Sequence, residues 1–236
     1  MANTSSMCSI CGGSGYLKSR DGSMTRCECR VQLQSEARLT TLSIEANLPN
    51  YPSWSPDMYA GTKSVDNMRK IRLFVDQFDT KFKTISMYWL GGNSTQKTTS
   101  AHWIAVELLK KGKSVQYVTM QNLVKDLMEG ESFSKTVDVS KYYNADFLII
   151  DESFDPTKVT LFKSKFQIPF LDSFVRERVE IRRRSTLFIS NVGIEQVDMF
   201  STSLRALVER CTVGSVFTFE DRFVQNVSTI QNLWEE

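Results

Sequence analysis

The turn Gly91-Gly92-Asn93-Ser94-Thr95-Gln96-Lys97-Thr98 joins a short apolar run, residues 85–90, to a helix-like run, residues 98–111. It is one residue away from G-x-x-x-x-G-K-[ST], a pattern in which backbone N–H groups wrap phosphates, Lys adds a point charge and the hydroxyl holds magnesium. A second apolar run ends in two carboxylates, Phe147-Leu148-Ile149-Ile150-Asp151-Glu152. An Asp at the end of a buried strand completes a magnesium site, and an adjacent Glu can activate a water. Together the two segments predict a nucleoside triphosphate, ATP, with Mg2+. Gln96 departs from the pattern, standing where glycine is expected. Glycine serves there because a Cβ disfavours the required φ and because the backbone must come close to the phosphates. In a left-handed position a Gln costs about 1–2 kcal/mol, tolerable for a domain but enough to weaken nucleotide binding or slow turnover.

The rest of the chain supplies a scaffold for such a loop. Short apolar runs at 85–90, 114–119, 146–150, 186–190 and 215–219 read as strands. They alternate with helix-like runs at 98–111, 121–128, 168–184 and 203–211. This alternation predicts an α/β domain with a parallel sheet covered by helices on both faces. Ahead of it, residues 65–81 carry apolar positions at helical spacing: Met68, Ile71, Phe74, Val75 and Phe78. Pro49, Pro52 and Pro56 interrupt any helix between the two ends, so 48–64 reads as a linker. The expected organisation is an N-terminal module over 1–47, the linker, and a core over 65–236.

Five cysteines are present, four of them early: Cys8, Cys11, Cys27 and Cys29. Their spacing suits a tetrahedral Zn2+ site, which a segment without a hydrophobic core needs as a staple; four free thiols in a tail is the other reading. Cys211 stands in an apolar context and is expected to pack. No run is long enough to span a bilayer, and the first residues lack the basic flank and apolar stretch of a signal peptide, so the expectation is a cytoplasmic protein without membrane contact. The formal charge of +2 excludes nothing about partners.

Ligands of an open parallel sheet bind beyond the carboxyl ends of its strands. Lys97, Asp151, Glu152 and Asn191, which follows the run Thr186-Leu187-Phe188-Ile189-Ser190, are all expected at that edge. Asn191 there holds a water near the γ-phosphate or caps the next turn. Arg205 and Arg210 lie on one helix, and an arginine donated by a neighbouring subunit stabilises charge in phosphoryl transfer. They do not share a helix face, so at most one reaches a nucleotide; a solvated face is the alternative for both. Arg176, Arg178, Arg182, Arg183 and Arg184, with Lys163 and Lys165 before them, form the densest basic region. It suits single-stranded DNA, while interleaved Glu177 and Glu180 allow a salt-bridged surface instead. The single histidine, His102, and the tryptophans Trp54 and Trp103 read as structural, and Trp234 is left without a role.

The order of parts resembles the AAA+ ATPases of the DnaC/DnaI helicase-loader and IstB-like family, over most of the chain. The resemblance rests on Trp89-Leu90-Gly91-Gly92 through Lys97-Thr98, on Leu148 to Glu152, on Leu187 to Asn191, on the 203–210 helix and on the closing Phe217-Thr218-Phe219-Glu220-Asp221-Arg222-Phe223. The cysteine module and strap are similar to loaders of the DnaI type and their bacteriophage relatives. The resemblance implies Walker A at Lys97 and Thr98, Walker B at Asp151 and Glu152, sensor I at Asn191, and an arginine finger at Arg205 or Arg210. It also implies a replicative DNA helicase as partner of the N-terminal module, single-stranded DNA on the core, for which Arg176, Arg182, Arg183 and Arg184 of the basic region are the candidates, and self-assembly. Ser94 joins Gln96 as a departure, since many such loops carry Gly there. A non-hydrolysing adaptor and an IstB-type transposition ATPase are the competing expectations.

Overall fold

Around its cysteines the chain makes a hairpin rather than a core. In the computed structural model, which describes residues 8–19, 22–49, 61–131, 138–155 and 167–221, β1 (Tyr16–Lys18) pairs antiparallel with β2 (Met24–Arg26). The helix α1 (Glu28–Glu45) follows, its first turn opened by an acidic residue that suits the positive end of the helix dipole. The Arg30 guanidinium lies 4.3 Å above the Tyr16 ring. The chain divides into two units, residues 1–45 and 46–236.

The second unit opens with α2 (Val65–Asp76), which buries Met68, Ile71, Phe74 and Val75. The helix expected over 65–81 changes character at its end, becoming a π turn over Phe78–Phe82. The reason lies in the aromatic spacing. Phe74, Phe78 and Phe82 recur every four residues, and the 3.6-residue α turn would carry the last ring off the core. In the wider turn Phe74 keeps ring contact with Phe78, Phe82 and Phe147, at centroid distances of 5.4, 5.5 and 5.5 Å.

Then come β3 (Met87–Gly91), α3 (Lys97–Lys110), β4 (Val115–Thr119), α4 (Met120–Glu131), α5 (Ser140–Asn144) and β5 (Phe147–Asp151). After them lie α6 (Ile168–Arg176), a second π turn (Glu177–Ile181), β6 (Ser185–Ser190), a 3-10 helix (Ile194–Met199), α7 (Thr202–Cys211) and β7 (Val216–Phe219). The single helix expected over 168–184 is thus interrupted after Arg176. Five parallel strands form one sheet in the order β4-β5-β6-β3-β7. The central strands β5 and β6 are buried at every position, as apolar runs covered on both faces must be. The edge strand β7 alternates, burying Phe217 and Phe219 against Trp89.

Side-chain alternation sends Tyr88, Leu148, Ile150 and Phe188 to the face covered by α4, α6 and α7. The opposite face, with Trp89, Phe147 and Ile149, is covered by α2 and α3. The two ends of the core are tied together: Asp221, just past β7, accepts from the Ser64 N–H (2.8 Å) and hydroxyl (2.6 Å) at the start of α2. Those bonds hold the Asp221 carboxyl below its usual range. Of the residues read from the sequence, Trp54, Lys163, Lys165, Arg222, Phe223, Trp234 and most of the proline-bearing linker lie outside the described residues.

Candidate functional site

Because β6 lies between β3 and β5, the carboxyl ends of three strands meet at one edge of the sheet. β3 delivers the loop from Gly91, β5 delivers Asp151 and Glu152, and β6 delivers Asn191. A cleft of about 400 Å³ opens there, lined by residues 93–99, Tyr117, Thr119, Asp151, Glu152, Ile189 and Asn191. Gly91 is required by packing: a Cβ there would meet the Phe219 carbonyl oxygen at 2.4 Å.

Gln96 has φ +62° and stands at the N-terminus of α3. Ser94 has φ +62° as well, so both departures from the glycine pattern occupy the left-handed region. The strain expected for Gln96 is therefore present, and Ser94 adds to it. The loop is nevertheless tightly bonded. Thr95 Oγ1 donates to Gly92 O (2.9 Å), and Ser100 Oγ donates to Gln96 O (2.7 Å).

The Lys97 ammonium is nearly buried and donates to Gly91 O (2.7 Å), Gly92 O (2.8 Å), Thr95 Oγ1 (3.1 Å) and Asn191 Oδ1 (3.2 Å). All four acceptors are neutral. Burial pulls the Lys97 pKa down to about 8, with Asp151 acting in the opposite direction. Asn191 Nδ2 donates to Asn93 Oδ1 (3.1 Å), so one amide joins the lysine to the loop tip.

Asp151 is nine-tenths buried and fully engaged. Its Oδ2 accepts from Thr98 Oγ1 and from the Tyr117 hydroxyl, both at 2.8 Å, and its Oδ1 accepts from the Glu152 N–H (2.7 Å). The Thr98 hydroxyl and the Asp151 carboxylate are hard oxygen donors of the kind Mg2+ selects. Glu152 is exposed, at φ +53°, and Phe154 two residues on has φ +56°. That backbone is held by Ser153, whose N–H donates to Ile189 O (2.7 Å), and by Phe154, buried against Phe188 and Phe200. Tyr117 was not expected at the site. Its only sequence signal is a hydroxyl-bearing aromatic two residues before the end of a strand.

No family model and no curated protein matches the chain's sequence. Solved structures do match its fold. A putative primosome component from Streptococcus pyogenes serotype M3 aligns with 70% of this chain and 85% of its own, at TM-score 0.55 and 17% identity. The DnaC helicase loader aligns with 74% of this chain and 97% of its own, at 0.50 and 14%. The replication initiator DnaA, bound to AMPPCP and single-stranded DNA, aligns with 78% of this chain and 55% of its own, at 0.58 and 12%. The core has the AAA+ fold. At these identities the likeness is one of fold, and the site of this AAA+ core stands on its own geometry.

Two other sets of candidates in the AAA+ core lie away from the cleft lining. Arg205 pairs with Glu209 (2.9 Å) and Asp198 (3.8 Å), and Arg210 pairs with Glu180. Both stay partly exposed on α7. In the basic region, Arg176 bridges Asp172 (3.1 Å) and Glu180 (3.0 Å), Arg182 pairs with Glu177 (2.9 Å), and Arg184 pairs with Asp146 (2.6 Å). Arg183 has no ion pair among the described residues.

Arg178 does not belong to that surface at all. It is fully buried in the π turn, donating to the carbonyls of Tyr142 (2.7 Å), Tyr143 (3.1 Å), Ala145 (2.9 Å) and Ser185 (2.8 Å) and to Thr186 Oγ1 (3.0 Å). Burial, and then neighbouring Arg184, lower its pKa. His102 on α3 is half-buried, which lowers its pKa, and burial pushes the Cys211 thiol up to about 12.

In the N-terminal unit the sulfurs of Cys8, Cys11, Cys27 and Cys29 all lie within 4.8 Å of one another. Cys8 and Cys27 are 3.9 Å apart, and Cys11 and Cys29 are 3.5 Å apart. Four thiolates about 2.3 Å from a tetrahedral ion stand roughly 3.8 Å apart, so the residues fit such a group. The Gly15 N–H, donating to Cys11 Sγ at 3.2 Å, brings the Cys11 thiol down to about 6. Cys29, beside the Cys27 and Cys11 sulfurs, is pushed up to about 12. Full ionisation of the set needs a cation among the four.

Proposed function

We propose that this chain is an ATP-dependent loader of a replicative DNA helicase. In this reading a Zn2+-bearing module over 1–47 grips the helicase, 48–64 is the linker, and 65–236 binds ATP, touches single-stranded DNA and assembles with other copies. The observation that carries it is the convergence of Lys97, Thr98, Asp151, Glu152 and Asn191 at one edge of an AAA+ sheet. The match to a helicase loader over nearly its whole length supports the choice of partner, and the DnaA structure with AMPPCP and DNA supports the choice of ligands.

Each role follows from the side chain. ATP brings a triphosphate whose terminal phosphoryl group is the electrophile. The loop N–H groups and Lys97 hold its phosphates, and the lysine exchanges four neutral acceptors for anionic ones. Thr98 and Asp151 hold Mg2+. Glu152, exposed in the cleft, orients and deprotonates the attacking water, and Asn191 keeps that water beside the phosphate. Arg205 or Arg210 of a neighbouring copy supplies the finger, once it leaves its carboxylate partner. Arg176, Arg182, Arg183 and Arg184 track the DNA backbone. Four cysteine sulfurs at this spacing hold Zn2+. Among the described residues no helix is long and apolar enough to cross a membrane.

The test is Mg2+-dependent ATP binding and hydrolysis, with and without single-stranded DNA, on wild type, Lys97→Ala and Glu152→Gln, followed by transfer of a replicative helicase onto DNA. Turnover is expected to vanish in both variants, with binding kept in Glu152→Gln. Absence of binding in wild type would favour the second reading, a non-hydrolysing adaptor. That reading draws on Gln96 and Ser94 at positive φ and on the lysine folded back onto its own loop. An IstB-type transposition ATPase is separated by pull-down with a transposase rather than a helicase.

A further inference from the structure

The outer edge of β4 is capped at one residue in particular. Among the described residues β4 pairs only with β5 in the sheet, so the other side of its backbone needs partners of its own. At Tyr117 both come from Ala46 and Asn47, the first two residues of the second unit. The Tyr117 N–H donates to Ala46 O (2.8 Å), and the Tyr117 carbonyl accepts from Asn47 Nδ2 (3.1 Å). Ala46 is buried, and Asn47 takes φ +57°, a conformation Asn tolerates better than most residues. From this clamped backbone the Tyr117 side chain reaches into the cleft, and its hydroxyl donates to Asp151 Oδ2 (2.8 Å), the oxygen that also accepts from Thr98.

We propose that Tyr117 is a positioning residue for the Asp151 carboxylate, itself set in place by the junction residues Ala46 and Asn47. The inference rests on the nucleotide-site reading above. A phenylalanine would fill the same space, so the hydroxyl is the added feature. Two donors on Oδ2 and one on Oδ1 fix the rotation of the carboxylate. When Thr98 turns its oxygen lone pair toward Mg2+, the Tyr117 hydroxyl and the Glu152 N–H remain to hold Asp151. Donors of this kind, behind a metal ligand, are worth about 10–100-fold in metal affinity. Tyr117 also links these first residues of the second unit directly to the Mg2+ ligand. A shift of Asn47 moves the strand residue whose side chain orients the carboxylate.

The experiment is titration of the full chain with a fluorescent non-hydrolysable ATP analogue, in EDTA and across a series of Mg2+ concentrations. Tyr117→Phe is expected to bind as wild type in EDTA but to need about ten-fold more Mg2+ for half of its Mg2+-dependent gain. Asn47→Gly keeps the positive φ while removing the amide, and is expected to shift the Mg2+ curve in the same direction by a smaller factor. A wild-type Mg2+ curve in Tyr117→Phe, or an equal loss with and without Mg2+, overturns the role of Tyr117 and leaves the nucleotide site standing. A shift in Tyr117→Phe with none in Asn47→Gly overturns the part played by the junction. Absence of Mg2+-dependent binding in wild type overturns the site reading and this inference with it.

Discussion

Gln96 concentrates the energetics of the loop at a single residue. Its φ of +62° costs about 1–2 kcal/mol relative to glycine, while glycine would lose about 0.5–1 kcal/mol more chain entropy on folding. The strain outweighs the entropy by about 0–1.5 kcal/mol, so Gln96→Gly is expected to leave stability unchanged or raise it by at most about 1.5 kcal/mol. Its effect belongs to binding: without the side chain the backbone comes closer to the phosphates, and nucleotide affinity is expected to rise. Thermal melting beside nucleotide titration separates the two, and a fall in affinity would show that the Gln side chain is itself a ligand. Lys97 adds a pH dependence. With its pKa lowered to about 8, the free protein loses the ammonium as pH rises through that value, and binding must then take up a proton. Nucleotide affinity is expected to be flat below pH 8 and to fall by up to about ten-fold per unit above it. In Lys97→Arg the break near pH 8 should disappear.

At the scale of elements, the π turn after α6 sets two arginine roles apart. It turns Arg178 inward, where one guanidinium ties the carbonyls at the end of α5 to the start of β6. Arg178→Met removes every one of these donors and leaves buried acceptors unpaired, at a cost of about 3 kcal/mol or more. Denaturant unfolding is expected to show that loss, and Arg178→Lys should recover only part of it, since an ammonium has three donors for five acceptors. Arg183 lies outside that network, without an ion pair among the described residues. If the basic region binds DNA, Arg183→Glu should weaken single-strand binding more than Arg176→Ala, because Arg176 already serves Asp172 and Glu180. Equal binding by wild type and Arg183→Glu in a salt series would remove the region from the DNA path.

For the whole molecule, the division after Glu45 separates two sources of stability. The N-terminal unit has a two-stranded hairpin, one helix and four clustered cysteines, and folding of such a unit draws on metal binding. The core has a five-stranded sheet covered on both faces and the Ser64–Asp221 tie between its ends. If the four cysteines hold Zn2+ and the N-terminal unit binds a helicase, as proposed, a strong zinc chelator is expected to abolish that binding and the amide protection of residues 8–19 and 22–45. Nucleotide binding by the core should persist. A simultaneous loss of both in hydrogen exchange would show that the two units fold together.

The local chemistry of this protein is legible in the order of its residues. A glycine turn followed by Lys97-Thr98, an apolar strand closing in Asp151-Glu152, and the spacing of Cys8, Cys11, Cys27 and Cys29 are short-range patterns. Each reports on a few neighbouring backbone groups, as do the apolar runs that became strands. Residue chemistry alone also marks Gln96, whose φ is +62°. Long-range register is different. Nothing in the sequence places β6 between β3 and β5, yet that order brings Asn191 to within 3.2 Å of the Lys97 ammonium. Nothing near Tyr117 announces Asp151, because register across two parallel strands sets their approach. In the sequence nothing sets Arg178 apart from the arginines around it, and a π turn carries it into the core. Sequence determined which groups were available, through local spacing. Only tertiary structure decided which of them meet, because strand order, register and helix phase depend on packing across the whole sheet.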